Sequence, residues 1–138
     1  MPHTHQNSHE ISIYKGELDT RSILTNVAKI KQAFPSLPLT FFEVFDERIH
    51  ANGFSSQRLN DAVSHVIDTC VYPVPTIANF ISFDKKVKIL SHAQVCDIVS
   101  KGEDSMDSFK PIKIKGRNKP VWIHINDIRQ YNIKDNVY

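Results

Sequence analysis

Five cations fall within ten residues of the C-terminal part, Lys110, Lys113, Lys115, Arg117 and Lys119, and no Asp or Glu occurs between Ser108 and Asn126. Cations spaced this closely, with no acid among them, suit the regularly spaced charges of a phosphate backbone. Trp122 follows at once and Tyr131 lies further on. A flat aromatic beside cations can stack on a nucleic-acid base. A structural reading stands beside this one. Lysines decorate exposed strands to block edge pairing, which would make the stretch a solvated hairpin, and Trp122 can instead pack that hairpin against a preceding helix.

Other reactive residue types are present without the spacing that chemistry needs. Glu43, Asp46 and Glu47 cluster near Arg48, but general acid–base work requires a desolvated carboxyl, and here the pattern predicts an outward helix face. His3, His5 and His9 have no Cys or carboxylate partners in tetrahedral register, so they read as part of a polar tail. His65 stands beside an apolar stripe with no ligand partner in sight. Ser–His and Cys–His pairs lack a strained nucleophile turn or an oxyanion-hole motif. None of the 4 glycines sits in a phosphate-binding loop. No enzymatic activity, cofactor or metal is therefore expected. Cys70 and Cys96 both lie in apolar helical patterns, which predicts buried reduced thiols rather than a disulfide.

The elements that must position these residues fit into 138 residues, enough for one domain or one domain with a small appendage. Hydrophobic residues at 41% and charged residues at 23% are those of an ordinary globular chain. No apolar run approaches the roughly 20 residues of a membrane span, so no membrane association is expected. The N-terminal segment has no apolar core of the kind a signal peptide needs, which predicts a cytoplasmic protein. Residues 1–84 carry 6 Lys/Arg against 9 Asp/Glu, whereas residues 85–138 carry 11 against 6. The net charge of +2 thus conceals an acidic N-terminal part and a basic C-terminal part.

Residues 1–18 read as a disordered polar tail. Ile23, Leu24, Val27, Ile30 and Phe34 recur at helical spacing behind Asp19 or Thr20 as cap. Pro35 and Pro38 end that helix. A second is predicted from a Thr40–Glu43 capping box with Leu39 and Val44 as hydrophobic staple, running to Ala51 with Gly53 as its left-handed stop. A third opens at Ser55, with Phe54 stapled to Leu59. Its stripe is Leu59, Ala62, Val63, Val66, Ile67 and Cys70, and Arg58, Asn60, Asp61, Ser64 and Asp68 face away. Pro73 and Pro75 stop it, and Pro75 suits the first turn of a fourth helix. Beyond Asp84 come an extended piece through Val87, Ile89 and Leu90, a helix capped by Ser91 and Gln94 and ended at Gly102, and a loop. Ile112 and Ile114 then pair across a 116–119 turn with Val121, Ile123 and Ile125, before a short helix capped by Asn126 or Asp127.

The segment Tyr72, Pro73, Pro75, Ile77, Ala78, Asn79, Phe80 and Ile81, preceded by the helix from Leu59 to Cys70, resembles the phage replicative helicase loader/inhibitor family over residues 29–85. That resemblance implies a non-enzymatic replication accessory protein. It would dock a replicative helicase or initiator protein through the helical part; the basic hairpin is not part of the family pattern, and its charges are what suggest a place near single- or double-stranded DNA. The expected fold is mainly α, an antiparallel four-helix bundle over 19–84 followed by a helix plus β-hairpin unit over 85–138. Two alternatives are a DNA-binding regulator using residues 85–138 as a degenerate winged helix, and an interaction protein in which the hairpin only completes the core.

Overall fold

The computed structural model describes residues 9–138. The protein is mainly helical with two small antiparallel sheets of two strands each, and it divides into two compact units. Tyr14–Asp84 form one, and residues 9–13 with Lys85–Tyr138 form the other.

In the helical unit, α1 (Thr20–Ala33) starts where Asp19 accepts the Ser22 N–H at 2.7 Å. Its inward face is rotated from the expected stripe: Leu24 is 65% exposed, and Asn26 is fully buried. Hydrogen bonding explains the exchange. Asn26 Nδ2 donates to Ser22 O at 2.8 Å and to Asn60 Oδ1 at 2.6 Å, tying α1 to α3 (Ser56–Thr69). The Asn26 carbonyl oxygen is buried without a partner.

The helix α2 (Leu39–Ala51) begins directly after Pro38, whose extended backbone (φ −76°, ψ 162°) serves as cap without a side-chain bond. With Leu39 already helical, the Thr40–Glu43 box does not form, and Leu39 and Val44 are exposed rather than stapled. Gly53 supplies the left-handed stop at φ +66°. Ser55 caps α3 as expected, accepting the Arg58 N–H at 3.1 Å. Leu59, Ala62, Val63 and Val66 are buried with Phe54 in one core that also contains Ile30, Phe42, Phe45, Ile49 and Phe80.

The fourth helix forms over Ile77–Ile81, but Pro75 precedes it rather than occupying its first turn. Thr76 is the cap of α4 (Ile77–Ile81): its hydroxyl accepts the Asn79 N–H, while Asn79 Oδ1 accepts the Thr76 N–H at 2.8 Å. Phe80 is thereby driven into the core, with its ring centroid 5.1 Å from Phe45 and 6.1 Å from Phe41. Arg58, expected to face solvent, instead turns back along α3. Its Nε donates to Phe83 O at 2.8 Å and its Nη2 to Ile81 O at 3.1 Å, with the guanidinium 4.0 Å from the Phe54 ring centroid. Tyr14 is fixed to the same helix, donating its hydroxyl to Asp61 Oδ2 at 2.7 Å. Burial, reinforced by the Asp61 carboxylate, holds the Tyr14 phenol well above its ordinary ionisation range.

The second unit corrects the tail assignment over its described part. Residues 10–12 form β1 (Glu10–Ser12), antiparallel to β2 (Lys86–Lys88), with Ile11 opposite Val87. The alternation in Glu10-Ile11-Ser12-Ile13 is a strand pattern too short to be distinctive without its distant partner. Residues 1–8, including His3 and His5, lie outside the described residues. The helix α5 (His92–Ser100) carries the expected Ser91–Gln94 box and stops at Gly102, φ +74°. Cys70 is partly buried, whereas Cys96 on α5 is exposed, contrary to expectation for that thiol.

The hairpin pairs β3 (Phe109–Ile112) with β4 (Val121–His124). Its strands are displaced from the predicted ones, since Ile114 lies beyond β3 and Ile125 opens α6 (Ile125–Tyr131). The cap of α6 is His124, not Asn126 or Asp127: the Asn126 N–H donates to His124 Nδ1 at 3.1 Å. Each face of the ribbon contributes to an apolar cluster, with Lys110 and Pro111 of β3 left exposed. Ile112, Val121 and Ile123 join Val87, Ile89 and Ile133, while Phe109 packs with Leu90 and Val95 and the partly buried Trp122.

Replacing Arg58 by alanine frees two backbone carbonyls at the end of α4. Arg58→Ala is expected to lower the unfolding free energy by about 2 kcal/mol in urea titration. Arg58→Lys should recover less than half, because a point charge cannot donate in a fork to both carbonyls.

Candidate nucleic-acid interface

The basic residues divide between a strand and the segment that follows it. Lys110 is exposed on β3, and Lys113, Lys115, Arg117 and Lys119 are exposed on the connection from 113 to 120. Backbone hydrogen bonds fix that connection. The Lys113 N–H donates to Asp135 Oδ1 at 2.8 Å, and Lys113 O accepts from the Asn136 N–H at 2.8 Å. The Lys115 N–H reaches Tyr138 O at 2.9 Å. A turn then closes from the Arg117 N–H to Ile114 O at 3.1 Å, with Gly116 at φ +78° in the position that requires a left-handed residue. The side chains of these five cations project from an ordered backbone. Among the described residues none of the five is in an ion pair; the cations that are paired belong to other segments.

Trp122 takes the packing alternative. Its backbone exchanges hydrogen bonds with Leu90 at 2.7 and 2.9 Å, and its ring lies 5.3 Å from that of His92 on α5. Trp122 therefore packs on the Leu90–Val95–Phe109 cluster, while its cross-strand partner Pro111 stays exposed.

One polar cluster had no signal in the sequence. Asp104 Oδ1 accepts from the Ser105 N–H at 2.8 Å and from the Ser108 hydroxyl, and Asp104 Oδ2 lies 3.2 Å from His124 Nε2. Residues twenty positions apart and joined through a loop form no recognisable spacing. Because Nδ1 accepts from Asn126, the ring carries its proton on Nε2 and donates it to Asp104. Both imidazole nitrogens are engaged, and Ser108 addresses the carboxylate rather than the imidazole. The cluster thus fastens the 103–108 loop to the start of α6 and offers no free base to a substrate. The Ser108 hydroxyl first, then the Ser105 N–H and His124, hold the Asp104 carboxyl below the usual carboxylate range.

In the helical unit the residues around the two prolines separate into an inner and an outer group. Pro75 and Phe80 are buried and Ile77 packs partly against the core, whereas Ala78, Pro73 and Tyr72 are exposed, Tyr72 at 73%. His65 lies with its ring 5.1 Å from Phe83. Glu43, Asp46 and Glu47 are exposed on α2. Among the described residues no group of three or more His, Cys, Asp or Glu side chains converges to hold a metal ion, and no helix is long and apolar enough to cross a membrane.

A carboxyl whose folded pKa is depressed stabilises the fold above its unfolded pKa, and that stability is lost as pH falls through the folded value. Asp104→Asn should therefore lower the melting temperature at neutral pH and show a shallower loss than wild type below about pH 4, measured by circular dichroism. No protein-family model, curated protein or solved structure matches this chain.

Proposed function

We propose that the protein is a non-catalytic accessory factor of DNA replication, of the helicase-loader kind. Its helical unit docks on a replicative helicase or initiator protein in the cytoplasm while the segment from Lys110 to Lys119 contacts DNA. The observation that carries this reading is the set of five exposed cations on an ordered backbone, none of whose side chains is in an ion pair among the described residues. Cations not engaged by carboxylates are available to phosphates, which release counterions on binding.

Charge separation supports the division of labour. Residues 14–84 hold 6 Lys/Arg and 8 Asp/Glu, against 11 and 6 for residues 85–138. Read as an antiparallel bundle closed by α4, the helical unit leaves Val71 (85% exposed), Tyr72 and Pro73 on its surface between α3 and α4. Exposed apolar residues at a stiff diproline connection suit protein docking. The winged-helix alternative is less well supported, because a wing must be free to enter a groove and β4 commits its residues on both faces of the ribbon to apolar clusters.

Fluorescence anisotropy with labelled DNA at low salt tests the proposal. Wild type should bind, and changing Lys113, Lys115 and Arg117 together to Ala should weaken binding and reduce the log–log salt slope by about 2. Absence of any DNA binding at low salt would leave the interaction protein without nucleic-acid affinity as the correct reading.

A further inference from the structure

Beyond the strand, the basic connection borders a cavity. Arg117, Asn118 and Lys119 line an open groove of about 830 Å³ together with His9, Ser91 and Gln94. Among the described residues no carboxylate lines it. A second cavity of the same unit, about 420 Å³, is by contrast bordered by Glu103, Asp104 and Asp127. The first groove is also supplied with hydrogen-bond donors. In the α5 capping box, Gln94 Oε1 is engaged by the Ser91 N–H, which leaves the amide nitrogen of Gln94 free to donate outward. Arg117 and Lys119 add cationic donors, and Asn118 adds a neutral amide. Leu90 and Pro120 contribute apolar lining, which suits sugar and base faces rather than a bare anion.

Resting on the functional reading above, we infer that this groove is the seat of a single nucleic-acid strand, whose phosphates are gripped by Arg117 and Lys119 and hydrogen-bonded by Asn118 and Gln94. Charge complementarity selects a polyanion. The unit's own architecture selects one strand over a duplex. Duplex readers insert a helix or a two-stranded ribbon into a groove of the DNA. Here β4 commits its residues on both faces of the ribbon to apolar clusters, and the exposed surface of α5 carries Asp97, paired with Lys101 at 3.0 Å. A single strand needs no inserted element, only a positively charged groove that tracks its backbone.

The test measures binding of the full chain to a fluorescent oligothymidine of about 16 nucleotides and to a duplex of equal length at low salt. The single strand should bind about ten-fold tighter. Asn118→Glu should weaken single-strand binding about ten-fold, whereas Gln32→Glu, the same charge change on exposed α1, should leave it within about two-fold. Arg117→Ala with Lys119→Ala should lower the single-strand salt slope by about 1.4 and provides the same information should Asn118→Glu fail to fold by circular dichroism. Binding of neither oligonucleotide would overturn the functional reading itself. Binding that favours the duplex, or is equally insensitive to the charge at 118 and at 32, would overturn the groove assignment while leaving contact through the Lys110–Lys119 segment intact.

Discussion

The grip of Arg58 on two carbonyls is the constraint around which the helical unit is organised. A helix of five residues has no stability of its own, since nucleation costs more than so few hydrogen bonds return. What makes α4 persist is fixation at both ends: the reciprocal bonds of Thr76 and Asn79 at its start, and the guanidinium donating to Ile81 O and Phe83 O at its finish. Between those ends Phe80 fills the space against Phe41 and Phe45. A buried phenylalanine of this kind contributes about 3–5 kcal/mol relative to alanine. The prolines deliver the chain, but the polar bonds set its register.

Local rules carried the sequence a considerable distance. Asp19, Ser55 and the Ser91–Gln94 pair are caps because a short polar side chain, placed just before an apolar period, has few other uses; Gly53 and Gly102 stop their helices because glycine adopts positive φ without strain. The errors arise where a distant partner decides. Asn26 displaces Leu24 from the interior because Asn60 waits on another helix, and Arg58 leaves the solvent face to donate to the carbonyls of Ile81, which ends α4, and Phe83, just past it. Glu10–Ser12 is recognisable as a strand only when Lys86–Lys88 lies beside it. Exposure of Lys110 to Lys119 was legible from charge alone, whereas the Asp104–His124 contact and the groove near Gln94 depend on folding that brings separate segments together.

Double-sided packing of β4 separates two roles that the sequence superimposes. Alternating residues of β4 serve two apolar clusters, Val121 and Ile123 one and Trp122 the other, so the strand has no face left for a ligand. Binding chemistry is thereby displaced onto the connection. There the segment 135–138 holds the backbone at Lys113 and Lys115 through the Asp135 carboxylate and two main-chain bonds, and none of these bonds engages a cationic side chain. Rigidity of the peptide and freedom of the charges coexist because different atoms of the same residues are used.

The adjacency of β1 and β2 has an entropic consequence. The Ile13 N–H meets Lys85 O at 2.9 Å, yet all of residues 14–84 lie between them along the chain. Closing so long a disordered span before anything else has formed carries an entropic penalty that grows with each doubling of its length by about 0.6 kcal/mol. Once α1 to α4 have condensed, the same two residues become the neighbouring ends of an already ordered body, and most of that penalty disappears. The pairing of β1 with β2 thus costs less entropy after the inserted helices have formed than before.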